Sequence, residues 1–364
     1  VTQILQVNAM ANAEDQVVEL AKQLIDVESV TGNEYGMIDA LSNWLRPRGW
    51  TIETQRVSDK RYNVLAYPKE LSSRSQIKLL FNSHIDTVPP YIASHIDTKT
   101  NRLYGRGACD TKSIIASQLF AADALKNKHR LTNIGLLYVV GEEVDHCGML
   151  KANELKLTPR YLIVGEPTES STVSTQKGIL KFELTSTGIA GHSGYPETCL
   201  SSITVLLRIL HDIENVHGWP SSQSMGDTTI NVGILKSGVA ANVIPDKSYC
   251  QVMVRCISSP MEIEKEMLQI IKRYDVENQI EYNRISYSFP QTYCGLDAKK
   301  YGSNVACFNT DIPYFEEYQK GKVVPVLYGP GSIKVAHTAN EHIDIDELKR
   351  SVKVYQDIAM DLLS

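Results

Sequence analysis

The chain has 364 residues, 43% hydrophobic and 22% charged, with a net charge of −5. That length predicts a large domain with a smaller one, and the composition excludes disordered and fibrous classes. No basic run offers a footprint for nucleic acid, and no apolar stretch approaches the ~20 residues that span a bilayer. The expected partner is a small molecule or a peptide, with no nucleic acid and no membrane.

Residues 14–50 predict two helices, with Val17, Leu20, Ala21 and Leu24 at helical spacing and a break at Thr31-Gly32-Asn33. Strands then alternate with helices. Strands are expected at Asn63–Tyr67, Ile77–Ser83, Ile134–Gly141 and Tyr161–Val164, and helices at Lys112–Lys126 and Met149–Leu155. Near-continuous apolar strands alternating with helices predict a mostly parallel sheet covered on both faces.

The pattern changes after Lys177-Gly178. Leu180–Thr187, Thr228–Leu235, Tyr249–Cys256 and Ile280–Phe289 alternate as half-buried strands do, around helices at Cys199–Glu214 and Pro260–Tyr274. The order β-α-β-β-α-β is ferredoxin-like, and its open sheet edges suit pairing with a second copy. Parallel character returns with a strand at Val323–Tyr328 and a closing helix at Ile345–Leu363. The expected fold class is α/β: residues 1–177 and 291–364 form a mostly parallel-sheet catalytic domain. Residues 178–290 form an inserted ferredoxin-like α+β domain.

The first residue is Val1 rather than Met, which points to processing or trimming. The seven cysteines are scattered with no C-x-x-C, and N-x-S/T is absent. A cytoplasmic location is favoured, and a secreted or vacuolar one stays open if a signal peptide was removed.

The chemistry sits where the apolar strands run out. His84-Ile85-Asp86 follows the first run, Glu142-Glu143 the second and Glu166-Pro167 the third. Gly105-Arg106-Gly107 delivers Asp110, and His337 follows the turn Gly329-Pro330-Gly331. Residues at the carboxyl ends of such strands converge in space. One Asp, two Glu and two His are what a pair of zinc-like ions requires. Asp110 is the expected bridge, because the glycines before it allow a close backbone approach. His84 and Glu166 would complete one ion, and Glu143 and His337 the other. Asp86 is expected to accept the second imidazole N–H of His84. Adjacent side chains diverge, so Glu143 goes to metal and Glu142 to proton transfer.

Two other classes compete. Gly191-His192-Ser193-Gly194-Tyr195 is like the nucleophile elbow of a serine hydrolase, with Ser193 as nucleophile, but lacks the final glycine. A non-catalytic binding protein on the same fold is the other, opposed by the intact ligand set and intact Glu142. Cys109 and Cys147 lie near the expected cluster and are assigned to packing.

HIDTVP (84–89), GRGACDTK (105–112), GEEV (141–144), GEPT (165–168), GHSGYP (191–196), ANVIPD (241–246) and GPGSIKVAHTANE (329–341) occur in one order. By these motifs nearly the whole chain resembles the dinuclear-zinc family of acetylornithine deacetylase, succinyl-diaminopimelate desuccinylase, glutamate carboxypeptidase and aminoacylase. It is most similar to the fungal-type probable carboxypeptidases. The resemblance implies two Zn2+ per chain, with Co2+ or Mn2+ as substitutes, held by His84, Asp110, Glu143, Glu166 and His337, with Glu142 as base. It further implies that His192 stabilises the oxyanion, that Asn242 and Arg255 hold the substrate's free carboxylate or neighbouring polar groups, and that Gly331 lines the pocket. It makes the inserted domain a lid and the protein a homodimer through it. The substrate would be an N-acyl amino acid or a short peptide, cut beside a free α-carboxylate. Ser113 and Asp145-His146-Cys147 depart from the family pattern and bear on substrate fit; His146 is at most an adventitious ligand.

Overall fold

The structure is a computed structural model that describes residues 13–215, 218–275, 279–293 and 296–364; Cys294 lies outside them. The chain divides into two compact units. One comprises the residues up to Ser174 with Tyr293–Asn304 and Thr310–Ser364, and the other Thr175–Thr292 with Val305–Asn309.

In the first unit six strands form one sheet. Their order is Trp50–Ser58, Arg61–Pro68, Ile134–Val139, Leu79–His84, Tyr161–Val164 and Val324–Leu327. The last four pair in parallel, and an antiparallel hairpin completes one edge. Leu79–His84 and Ile134–Val139 are buried at every residue, as parallel strands covered on both faces must be. The mostly parallel α/β reading is borne out.

The Lys112–Asn127 helix packs against the Ala13–Ile25 and Ile345–Leu363 helices. It is buried around most of its circumference, and Ala116, Ala121 and Ala122 keep its surface low enough for close approach. Two buried hydroxyls there, Ser117 and Ser351, bond each other at 2.7 Å. The closing helix starts where the Asp344 carboxylate accepts the Glu347 N–H at 3.0 Å, an N-cap worth ~1 kcal/mol.

The Trp50–Ser58 strand has no counterpart in the sequence reading. Its residues, WTIETQRVS, are half exposed beyond Trp50. An edge strand with one wet face needs few apolar side chains, so its signal is weak. Three short strands, His95–Asp97, Arg102–Tyr104 and His342–Asp344, form a separate sheet that was also not anticipated.

The second unit is a four-stranded antiparallel sheet ordered Thr229–Ser237, Lys247–Cys256, Gly178–Thr187, Ile280–Ser288. Burial along Lys247–Cys256 alternates with period two. Its inward residues Cys250, Val252 and Val254, with Leu180, Phe182 and Leu184, pack on Leu206, Ile209, Ile263 and Met267 of two helices, Ser202–Glu214 and Pro260–Tyr274. Among the described residues no helix is long and apolar enough to cross a membrane.

Candidate metal centre

Strand register places the ligand-grade residues on one rim of the first unit. His84 pairs with Val139, and Asn82 with Val164, so the three strands end nearly level. The hydrogen bonds Ile85 N–H to Val139 O (2.9 Å) and Gly165 N–H to Asn82 O (2.8 Å) carry the order one residue further. Glu142 and Glu166 follow immediately. Tyr328 N–H bonds Val164 O, which brings the Gly329-Pro330-Gly331 turn to the same rim. Gly331 has φ +86°, and a Cβ there would sit 2.7 Å from Cys109 Sγ. The turn needs glycine.

The Asp110 loop is held from beneath. Gly107 has φ +87°, and a Cβ there would lie 2.8 Å from Lys112 Cδ. The Glu341 carboxylate accepts the backbone N–H groups of Gly107, Cys109 and Asp110 at 2.9, 3.1 and 3.1 Å. Its other oxygen takes Arg106 Nη1 at 2.6 Å. Thr111 Oγ1 donates to His84 O and accepts from Ser83 Oγ, tying the loop to the strand end. Sequence reasoning passed over Glu341, although it closes the GPGSIKVAHTANE motif. Removing one partner of a buried charge pair costs ~3–5 kcal/mol. Glu341→Ala is therefore expected to shift the denaturant midpoint by about that energy at unchanged m. A change within ~0.5 kcal/mol, as at surface sites, would contradict this reading of the loop.

The side chains converge in two groups that share Asp110. His84 Nε2 lies 3.0 Å from Asp110 Oδ1 and 3.8 Å from Glu166 Oε1. His337 Nε2 lies 3.0 Å from Glu143 Oε2 and 3.4 Å from Asp110 Oδ2. Within each group the ligand atoms fall within 4.8 Å of one another, close enough to hold a metal ion. All but His337 are mostly buried.

The Asp86 carboxylate has a different principal job from the expected one. His84 Nδ1 donates to the Asp86 backbone carbonyl at 2.9 Å, while the carboxylate is 3.6 Å away. That carboxylate accepts Thr31 Oγ1 at 2.8 Å and the backbone N–H groups of Glu142 and Glu143 at 3.2 and 3.4 Å. It fixes the acidic pair as well as facing the imidazole.

The electrostatics show what the donor set lacks. Burial, then repulsion from Glu166, Asp311 and Glu143, pushes Glu142 well above the usual carboxylate range. Burial and neighbouring acids push Glu166 well above that range, and Glu143 up as well. Burial pulls His84 down, but Glu166, Asp110 and Asp86 outweigh it and hold the imidazole well above its ordinary value. Hydrogen bonds to Asp110 and Glu143 raise His337 to about 10. Four carboxylates buried around two imidazoles favour a bound cation, and nitrogen and oxygen donors suit zinc. The residues fit a dinuclear centre.

A pH dependence follows. With His337 raised to about 10, the metal-free protein carries a proton there at pH 7 that the imidazole must shed to ligate. Metal uptake then releases protons, and apparent affinity rises with pH. Zinc titration calorimetry in two buffers of different ionisation enthalpy should register that release; a buffer-independent heat would contradict it.

His192, Asn242 and Arg255 belong to the second unit. Gly191-His192 pairs with Val243-Ile244, and Ser193 N–H bonds Asn242 O at 3.0 Å, so His192 and Asn242 are neighbours. His192 is exposed, and its Nδ1 accepts the Gly194 N–H at 3.0 Å. The ring proton is thereby assigned to Nε2. Arg255 is half-buried on the Lys247–Cys256 strand, opposite Thr229 and Ile179. Ser193 is exposed in the turn after His192. Cys109 is buried, and burial with Asp110 and Glu341 nearby pushes its thiol well above the usual range. That is packing, not nucleophilic chemistry.

A parallel α/β sheet whose strand ends converge on a shared-carboxylate donor set, with a further buried carboxylate alongside, defines a hydrolase. The profile of Peptidase family M20/M25/M40 matches residues 80–361, and the chain belongs to that family. It is 35% identical over 364 residues to a peptidase M20 domain-containing protein of Schizosaccharomyces pombe, covering 98% of this chain and 88% of that one. It is 34% identical over 368 residues to a probable carboxypeptidase of Aspergillus flavus, covering 92% and 85%. The fold is shared with a tripeptidase from Staphylococcus aureus at TM-score 0.77 and 19% identity, covering 95% and 98%.

Proposed function

We propose that this enzyme uses two zinc ions to hydrolyse an amide bond beside a free α-carboxylate, in short peptides or N-acyl amino acids. The observation that carries this reading is the pair of ligand groups meeting at Asp110, with Glu142 beside them. His84, Asp110 and Glu166 would hold one ion, and Asp110, Glu143 and His337 the other. When bound, the ions supply Lewis-acid polarisation of the carbonyl and lower the pKa of water.

The remaining work falls to side chains. Glu142 takes the proton from the attacking water and passes it to the leaving nitrogen; burial and the neighbouring acids push it up, the direction that helps it hold the proton between the two transfers. Asp86 holds the Glu142-Glu143 turn and the His84 ring. His192, with its proton on Nε2, donates to the developing oxyanion. Asn242 and Arg255 orient the substrate's carboxylate, and Gly331 lines the pocket. The second unit serves as lid and as the surface of a homodimer: its outer strand Thr229–Ser237 exposes Ile234 and Leu235. Family membership favours this reading over a serine nucleophile at Ser193.

The test is chelation followed by metal return. A panel of dipeptides and N-acetyl amino acids should be cleaved by zinc-loaded enzyme, lost on exhaustive chelation and recovered near two zinc per chain by mass spectrometry. Activity that survives chelation and is abolished by a serine-directed acylating reagent sinks the proposal.

A further inference from the structure

His146 stands three residues beyond the acidic pair, in a backbone conformation that favours glycine. Its φ of 56° and ψ of 22° are left-handed, which a residue with a Cβ adopts at a cost. Its backbone N–H closes the turn that carries Glu142 and Glu143, bonding Gly141 O at 2.7 Å. Glycine would make that bond equally well. The side chain therefore needs its own explanation.

The imidazole is buried and fixed from two sides. Its Nδ1 is 3.0 Å from Asp311 Oδ1, and the Asp311 side chain is 1% exposed. Its ring stacks on Tyr314, with centroids 3.9 Å apart and planes 15° from parallel. With Asp311 Oδ1 as the acceptor, the ring proton is assigned to Nδ1. The same nitrogen lies 3.8 Å from Glu142 Oε1, a separation too long for a hydrogen bond and too short for an intervening group. One edge of the ring thus meets two buried carboxylates, bonded to Asp311 and within van der Waals reach of Glu142.

We propose that His146, held by Asp311 and Tyr314, is a positioning residue for Glu142. Asp311 and Tyr314 hold the ring, and the ring confines the Glu142 carboxyl to the position from which it reaches the reacting atoms. This rests on the reading of Glu142 as the group that moves the proton.

The test compares His146→Gly with His146→Asn in the zinc-loaded enzyme, on the fastest-cleaved compound of the panel above. Glycine suits the left-handed backbone but removes the ring. Asparagine tolerates that backbone and keeps an N–H donor toward Asp311. Misplacing a reacting group by about 1 Å can cost ~10²-fold. His146→Gly is expected to lose about tenfold to hundredfold in kcat at unchanged KM and zinc content, with a lowered Tm because Asp311 is left buried without its partner. His146→Asn should recover most of that loss. A purely structural role predicts the opposite: kcat kept in any variant that folds, with glycine and asparagine alike.

A double-mutant cycle separates the two readings. If His146 acts through Glu142, His146→Gly should add nothing in a Glu142→Gln background. Full additivity, or no effect of His146→Gly alone, overturns the positioning role and leaves Glu142 standing. If Glu142→Gln itself has no effect, the base assignment has failed and His146 has nothing to position. Independently of activity, 15N spectra of histidine-labelled, metal-free protein should give His146 protonated at Nδ1; a ring protonated only at Nε2 overturns the proposal.

Discussion

Replacing Glu142 by Gln is expected to lower turnover by ~10²–10⁴ while leaving the metals in place. The substitution keeps the shape of the side chain and removes only its capacity to take a proton. The Glu142 backbone N–H, which the Asp86 carboxylate accepts at 3.2 Å, is untouched, so the turn that presents Glu143 should hold. Glu142 is raised well above the carboxylate range first by burial and then by Glu166 and Asp311. An amide at that position relieves repulsion, so thermal stability should rise or stay level. The measurement is kcat beside zinc content and Tm. Should the variant lose zinc with little further defect, Glu142 is the ligand and Glu143 the proton carrier.

The frame of the site was legible because two signals coincide in this chain. Parallel strands buried on both faces must be mostly apolar, and Ile134–Val139, Tyr161–Val164 and the first half of Leu79–His84 are. A His or Glu at the end of such a run contrasts with what precedes it. What escaped were the supports. Glu341 is one acid at the end of a polar loop, and nothing in its neighbours announces that its carboxylate will collect three backbone N–H groups from residues 107–110. Asp86 was given to the imidazole of His84, yet its shortest bond goes to Thr31, 55 residues away. His146 read as a stray donor because its partners, Asp311 and Tyr314, are more than 160 residues distant. Hydrophobic period reports which face an element buries; it carries no information about which distant polar group will meet it.

Replacing His192 by Ala is expected to lower turnover by ~10²–10³, the usual worth of one oxyanion donor, with both metals retained. His192 is exposed on the second unit, and Gly194 occupies its Nδ1, so its available donor is Nε2. An exposed imidazole contributes little to folding, so stability should be unchanged and the defect confined to kcat. If two chains pair and His192 reaches the partner's site, mixing His192→Ala with Glu142→Gln restores one complete site in each heterodimer. Random exchange makes half of the dimers mixed, and one of two sites in each is intact, so about one quarter of the wild-type rate should return. The measurement is activity against time after mixing, with subunit exchange followed by native mass spectrometry. No recovery despite confirmed exchange assigns His192 to its own subunit's site, or to none.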